Sequence, residues 1–149
     1  MHWHGYHWTG PGVERANEAD RRPASPGFSA SLLPPMRTGD WLLKPRSRMA
    51  ATFEEVAPAV AWLADEYDKT RTALLLPERV PVEERLETAR DLLRRGVDVQ
   101  WGEWLHGGRF VTLGMICCPN RHVPHPCPAH GRSSSASAGH EMIGRQEGQ

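Results

Sequence analysis

Two segments in the middle of the chain carry apolar residues at the spacing of an amphipathic helix. The stripe of the first segment consists of Val56, Val60, Leu63 and Tyr67. Thr52 and Glu55 have the spacing of a capping box, in which each side chain bonds the other residue's amide, so we expect a helix to begin here. Pro58 has no amide proton, and it predicts either a kink or a regular helix that starts at Pro58 itself.

The second helical segment has signals at both of its ends. Its apolar stripe consists of Val82, Leu86, Ala89 and Leu93. Pro81 suits the first turn, where no amide donor is needed, and Gly96 suits the left-handed residue that ends a helix. Acidic residues follow Pro81 and arginines precede Gly96, as the helix dipole favours. We therefore expect a helix between these two residues.

Shorter apolar runs predict extended structure. Residues 97–101 alternate between apolar and polar side chains, which is typical of a half-buried strand, and residues 110–118 form a longer apolar run. Residues 40–44 suit a strand or an extended segment that docks Trp41 on the core. Residues 72–76 are compatible with either a buried strand or further helix, because periodicity cannot separate the two at this length.

Gly107 and Gly108 lie between the two C-terminal apolar runs and predict a hairpin. A two-residue turn with positive φ at both positions favours such a pair of glycines. The strand pairs that follow from this turn are Leu105 with Phe110 and Trp104 with Val111. Gly114 within the second strand indicates a bulge or a close backbone contact.

Proline and glycine are concentrated outside the patterned region. We therefore expect residues 1–38 to be disordered, residues 39–118 to form the folded core, residues 119–131 to form a loop rich in Pro, Cys and His, and residues 132–149 to be a disordered tail. The predicted fold is α+β, with a small antiparallel sheet and a C-terminal hairpin packed against two amphipathic helices. Met36 directly precedes the core, so the residues before it are also compatible with a gene start placed too early.

The distribution of charge along the chain gives little support for a nucleic-acid partner. The 149 residues have a formal net charge of zero. Residues 1–51 contain seven basic and four acidic residues, residues 52–105 contain seven and twelve, and residues 106–149 contain four and two. Nucleic-acid binders usually carry a dense basic patch, which this distribution lacks. There is no apolar stretch of the ~20 residues that span a membrane and no apolar secretory signal, so we expect a cytoplasmic protein with no membrane partner.

The strongest chemical signal is a cluster of thiols and imidazoles after the last predicted strand. Zinc is held by four such sulfur and nitrogen ligands, and zinc is therefore the expected cofactor if the loop binds a metal. Adjacent strand residues point to opposite faces, so Cys117 is not expected to ligate together with Cys118. The candidate metal ligands are Cys118, His122, His125, Cys127 and His130, from which we favour the two cysteines and two of the histidines.

Other interpretations of this chemistry stay open. The spacing matches no familiar zinc motif, so the same residues are compatible with an exposed proline-rich loop that has no site. Cys118 and Cys127 would form a disulfide in an oxidising environment. His2 and His4 would share a face of an extended chain near the amino terminus, and imidazoles there would form a second, separate metal site.

No motif in the sequence specifies a reaction. The chain lacks the nucleophile elbow, the phosphate-binding loop and the dinucleotide-binding glycine pattern. A Cys118 nucleophile with His106 or His122 as its base is conceivable, but sequence proximity does not establish such a pair. We therefore favour a non-enzymatic accessory module that binds a partner protein or nucleic acid, with a structural zinc in the Cys/His loop. The alternative is a small enzyme that depends on a metal or on a cysteine.

The C-terminal half has a pattern that extends beyond single motifs. An alternating Trp/Val strand and a Gly-Gly turn are followed by Cys117-Cys118-Pro119 and then by Cys127-Pro128. This pattern resembles short uncharacterised actinobacterial proteins that end in a similar Cys-Cys-Pro to Cys-Pro segment. The resemblance implies no activity.

Overall fold

An antiparallel sheet of four strands forms the centre of the structure, a computed structural model that describes residues 1–130. The strands are β1 (His2–Pro11), β2 (Ala51–Phe53), β3 (Val99–Leu105) and β4 (Arg109–Cys118), and they lie side by side in the order β2-β1-β4-β3. The helices are α1 (Val56–Thr70) and α2 (Val82–Arg94). The predicted α+β fold with a small antiparallel sheet is confirmed.

Both faces of the sheet are covered. On one face, Leu63 of α1 and Leu93 of α2 are fully buried in an apolar cluster with Met115 of β4. On the other face, the segment that follows β1 packs against the sheet, and the ring of Trp41 stacks on the ring of Tyr6 with 4.7 Å between the ring centroids. Because both faces are buried, β4 is apolar along nearly its whole length instead of alternating.

The N-terminal residues form one of the two central strands, so the prediction that residues 1–38 are disordered is wrong. β1 pairs with β2 on one side and with β4 on the other, where the register runs from His2 opposite Cys118 to Pro11 opposite Arg109. A strand buried on both faces shows no apolar–polar alternation, and the histidines and glycines of β1 further hide it in the sequence. The predicted tail of residues 132–149 lies outside the described residues, as does residue 131.

Two buried cations order the proline-rich segment between β1 and β2. The Arg21 guanidinium donates from Nε to the Pro34 carbonyl at 2.7 Å and from Nη1 to the Arg15 carbonyl at 2.9 Å. The Lys44 ammonium donates to the Phe28 carbonyl at 2.7 Å and to the Ser31 carbonyl at 2.9 Å. These bonds satisfy carbonyls that a loop without regular structure would otherwise leave unpaired in the interior.

The start of α1 differs from the predicted capping box. The helix begins at Val56, Glu55 is its N-cap without a side-chain cap bond, and Thr52 lies in β2. Pro58 therefore occupies the first turn, where amides have no partner within the helix, and causes no break. The end of α2 agrees with prediction, because Gly96 follows the helix with a φ of 77°.

The hairpin forms one residue out of the predicted register. Trp104 pairs with Phe110 and Leu105 pairs with Arg109, so the loop has three residues, His106–Gly108, instead of two. Gly107 and Gly108 have the predicted positive φ values of 81° and 71°. Gly114 pairs regularly with both neighbouring strands, so the predicted bulge is absent from β4, and the close neighbour of an added Cβ is the Trp41 side chain, with Nε1 at 3.3 Å, and not another backbone.

The two short segments of uncertain structure form neither regular strands nor α-helix. Residues 40–44 lie mostly in a 3₁₀ helix, Thr38–Leu43, so the predicted strand is wrong, although Trp41 is buried against the sheet as expected. Within residues 72–76, the first two residues end a 3₁₀ turn, Arg71–Ala73, Leu74 forms a single bridge to Leu105 of β3, and the last two residues form a bend.

Candidate metal centre

Strands β1 and β4 bring three potential metal ligands together at one end of the two central strands. Their register places His2 directly opposite Cys118. Side chains two positions apart on a strand share a face, so His4 points to the same side as His2. Cys127 approaches that face from the loop that follows β4. The site is therefore built from both ends of the described chain.

The ligating atoms of these four residues lie close enough to bind one ion. One atom each from His2, His4, Cys118 and Cys127 forms a group in which all atoms lie within 4.8 Å of one another. The Cys127 Sγ atom lies 3.2 Å from His2 Nε2 and 3.4 Å from His4 Nε2. Zinc–ligand bonds of 2.0–2.3 Å in tetrahedral geometry require separations of about 3.3–3.8 Å between ligand atoms. The group can hold a metal ion after small side-chain movements.

Thr52 fixes the orientation of His4. The Thr52 Oγ1 atom lies 2.9 Å from His4 Nδ1. In the tautomer in which Nδ1–H donates to this hydroxyl, Nε2 keeps the lone pair that a metal needs and faces Cys127. Ligand histidines in metal sites are usually held in this way by a hydrogen bond at the other ring nitrogen.

Both histidines are held in the neutral form that can ligate. His4 is fully buried, and this burial lowers its pKa to about 4, with smaller contributions from the positive charges of His2 and His130. Partial burial lowers the pKa of His2, and the amino terminus and His130 lower it further. Metal ions compete with protons for imidazole, so these two side chains have little protonation to overcome at neutral pH.

The thiol of Cys118 lies in surroundings that favour its protonated form. Cys118 is 2% exposed, and its burial raises the pKa of the thiol to about 12, with further contributions from a hydrogen bond to Cys127 and from the charge of that residue. A thiol with such a pKa is a poor nucleophile, which argues against the Cys118 nucleophile considered above. A bound cation reverses this balance, because coordinated thiols lose their protons.

Tyr6 places an unpaired hydroxyl near the cluster. Its side chain is fully buried, and Oη has no hydrogen-bond partner among residues 1–130. Burial raises the pKa of Tyr6, and negative charge on Cys118 and Cys127 raises it further. Buried hydroxyls rarely stay unpaired, so this one is a candidate to find a partner when the cluster rearranges around an ion.

The fold brings only two of the five predicted ligands into the cluster. Cys118 and Cys127 belong to the cluster, as proposed from the sequence. His122 is exposed, and the His125 Nε2 atom lies 2.9 Å from Asp40 Oδ1, so neither contributes to it. The His130 ring centroid lies 6.3 Å from that of His2, which places His130 beside the four-residue group but not within it.

His2 and His4 replace the predicted loop histidines. Their alternation at the amino terminus was a sequence signal for a shared face, but it indicated a separate site. Only the pairing of β1 with β4 joins the two clusters. Cys117 behaves as predicted, because it points to the helix side of the sheet, where it is fully buried, and its amide donates to Asp98 Oδ1 at 2.8 Å.

An open cavity borders one residue of the cluster, Cys127. It has a volume of about 370 Å³, and Cys127 lies in its wall. The other lining residues are Ser29, Leu42, Leu43, Lys44, Pro45, Arg46, Pro126 and Pro128. Solvent and small molecules can therefore approach Cys127, whereas Cys118 is buried and does not line this cavity.

Comparison with known proteins found no matching protein family model, no similar curated protein and no similar solved structure. The resemblance to short actinobacterial proteins with a Cys-Cys-Pro segment therefore stays a prediction. Within residues 1–130, neither helix has the length and apolar character needed to cross a membrane.

Proposed function

We propose that this chain is a small zinc-binding accessory protein without catalytic activity. In this proposal, one zinc ion held by His2, His4, Cys118 and Cys127 fastens the first strand to the loop after the last strand. The observation that carries the proposal is the convergence of these four side chains, from three separate segments, within 4.8 Å.

The ligand set favours zinc over other common metals. Calcium and magnesium select oxygen ligands, and the cluster has none. Two thiolates and two imidazoles are a frequent set for tetrahedral zinc, whose filled shell does not favour another geometry. Four protein ligands complete that shell and leave no position for water, which is the arrangement of a structural site and not of a catalytic one.

Zinc binding would stabilise the fold by linking its ends. The ligands are not assembled in the unfolded chain, so the free energy of metal binding adds to the free energy of unfolding. At a free zinc concentration of 100 to 1,000 times the Kd, this contribution is about 3–4 kcal/mol.

The experiment is metal analysis of the untagged full-length chain, purified under reducing conditions. We expect one zinc per chain, a lower melting temperature in chelator, and recovery on adding zinc. Cobalt substitution should give the strong visible bands of tetrahedral sites and sulfur-to-cobalt charge transfer. Cys118→Ser should lose these bands, whereas Cys117→Ser should keep them because Cys117 lies on the other face.

Two results would contradict the proposal. One is a reduced chain that takes up no zinc and melts at the same temperature with and without chelator. The other is a cobalt spectrum that the Cys117→Ser and Cys118→Ser substitutions change equally.

A metal-dependent enzyme is the second candidate, and the cavity beside Cys127 is the observation that favours it. In such an enzyme His2, which is only partly buried, would leave the metal and open a position for water. His2→Ala separates the candidates. A structural site should lose most of its zinc affinity, whereas a three-ligand site should keep zinc and show a cobalt spectrum of higher coordination number.

The accessory role requires a partner, and a protein partner has the better support. Four large apolar side chains are exposed around the α1–α2 connection and the end of β3: Leu75, Leu76, Val80 and Trp104. Exposed apolar groups of this kind are typical of protein contacts. If the partner is instead a nucleic acid, the binding affinity should fall steeply as the salt concentration rises.

A further inference from the structure

The two cysteines of the cluster differ in access. Cys118 is 2% exposed and sits at the end of a central strand, whereas Cys127 is half-buried and lies in the wall of the 370 Å³ cavity. Their Sγ atoms are within 4.8 Å of each other. Cys127 is thus accessible to a small oxidant that enters the cavity, and the sulfur of the buried Cys118 is within 4.8 Å of its own sulfur.

We infer that Cys118 and Cys127 form a reversible disulfide in response to a peroxide, and that disulfide formation releases the metal. The same two sulfur atoms would bind either zinc or each other. This inference rests on the proposed function, because it assigns a redox control to the proposed zinc site.

The reaction needs only the two thiolates and one molecule of hydrogen peroxide. The Cys127 thiolate attacks one oxygen, the O–O bond breaks, hydroxide leaves, and Cys127 becomes a sulfenic acid. The Cys118 thiolate then attacks the Cys127 sulfur, the S–S bond forms, the S–O bond breaks, and a second hydroxide leaves. The sulfur pair loses two electrons, and the peroxide oxygens gain them. Zinc leaves because the disulfide sulfurs no longer carry the negative charge that held it.

The geometry favours this pair over the alternatives. A disulfide needs about 2.05 Å between the sulfurs, and Cys127 can close the gap because its loop is outside the sheet. Cys117 is adjacent to Cys118 in sequence but points into the helix-side core.

The disulfide would change the connections at this end of the central strands. Zinc connects β1 to the loop through His2 and His4, whereas the disulfide connects the loop to β4 alone. Oxidation would therefore free both histidines while it keeps the loop in place.

The test uses the untagged full-length chain, reduced and loaded with zinc, and treated with hydrogen peroxide. Zinc release is followed with a colorimetric chelator, and the disulfide is identified by peptide mass spectrometry as the loss of two hydrogen atoms. We expect one zinc released per Cys118–Cys127 disulfide, and rebinding after thiol reduction. Cys117→Ser should behave like the natural chain, whereas Cys118→Ser should form no internal disulfide.

The failures of the two proposals are distinguishable. A chain that binds zinc but loses it with Cys127 as a sulfinic acid and Cys118 still reduced overturns the redox inference alone. A disulfide that joins Cys117, or one that forms while zinc stays bound, also overturns it. A reduced chain that never binds zinc overturns the proposed function and the release of zinc with it.

Discussion

The Nε2 atom of His2 lies 3.2 Å from the Sγ atom of Cys127, a residue 125 positions further along the chain. This contact exists only because β1 lies at the centre of the sheet, paired with β4 along its whole length. The first residues of the protein therefore contribute both to the core and to the candidate metal centre.

A chain that begins at Met36 should not fold. It lacks β1, so the sheet loses a central strand and β2 and β4 both lose their pairing along one edge. We expect no cooperative thermal transition by circular dichroism. The full-length double variant His2→Ala and His4→Ala is the control, because it removes the ligands but keeps the strand, and it should still unfold cooperatively. A sharp transition in the shortened chain would show that β1 is not needed for folding.

Helix α2 depends on the burial of its apolar stripe. Leu93 is fully buried, so Leu93→Ala should lower the free energy of unfolding by about 2–5 kcal/mol through lost burial and the cavity left behind. Leu76 is 60% exposed, and Leu76→Ala should change stability by less than about 0.5 kcal/mol. Urea denaturation measures both values. Equal effects of the two substitutions would contradict the packing described for α2.

Local signals predicted the parts of the fold that local interactions determine. The end of α2 at Gly96 and the apolar stripe of α1 follow from turns, caps and spacing within a few residues. Strand β1 could not be predicted in this way, because its burial depends on β4, about a hundred residues away. The hairpin register failed for a smaller reason: His106 belongs to the loop, and two adjacent glycines do not reveal a third loop residue.

Only the two cysteines of the candidate site were assigned correctly from the sequence, because joining the histidines to them again depends on a distant strand pairing. Cys118 and Cys127 were identified from their own residue types, and Cys117 was excluded by strand alternation. His2 and His4 were recognised as possible ligands, but their assignment to the cysteines required the register between β1 and β4. His125 shows the opposite error. It was predicted as a ligand from its residue type, but its imidazole bonds the carboxylate of Asp40, a residue that is distant in sequence.

Gly96 should resist substitution because of its backbone conformation. Its φ of 77° is one that residues with a Cβ adopt at a cost, whereas space is not limiting, since the nearest atom to an added Cβ is Met1 Cε at 3.5 Å. Gly96→Ala should therefore lower stability by about 1 kcal/mol, and Gly96→Asn should cost less because asparagine tolerates this region better. The order of the two variants in urea denaturation is the measurement, and an alanine variant as stable as the natural chain would contradict it.

Lys44 should make stability rise in alkaline solution. Burial lowers its pKa to about 8 in the folded protein, against an ordinary value of 10.5. Between these values the unfolded chain binds more protons than the folded chain, so raising the pH favours folding. The expected gain across this interval is about 3 kcal/mol.

The pH dependence is measured as the free energy of unfolding at several values between pH 8 and 10.5, and Lys44→Met should remove the Lys44 contribution to its slope. Lys69 is the control, because its exposed ion pair with Glu66 raises its pKa. Its contribution to stability should therefore change with pH in the opposite direction, and more weakly. A slope that Lys44→Met leaves unchanged would show that this lysine titrates normally.

Tyr6→Phe should have opposite effects on the metal-free and the zinc-loaded protein. Without metal, the substitution removes a buried hydroxyl that has no partner among residues 1–130, so stability should stay equal or rise by about 1 kcal/mol. With zinc bound, we expect the side chains of the cluster to shift so that this hydroxyl donates to a thiolate, and its loss should then weaken zinc affinity about tenfold. Chelator competition measures the affinity, and urea denaturation in chelator measures the stability. Tyr67→Phe is the control, because Tyr67 packs on the helix side of the sheet and should leave zinc affinity unchanged. Equal zinc affinity in the Tyr6→Phe and natural chains would show that the hydroxyl does not contact the site.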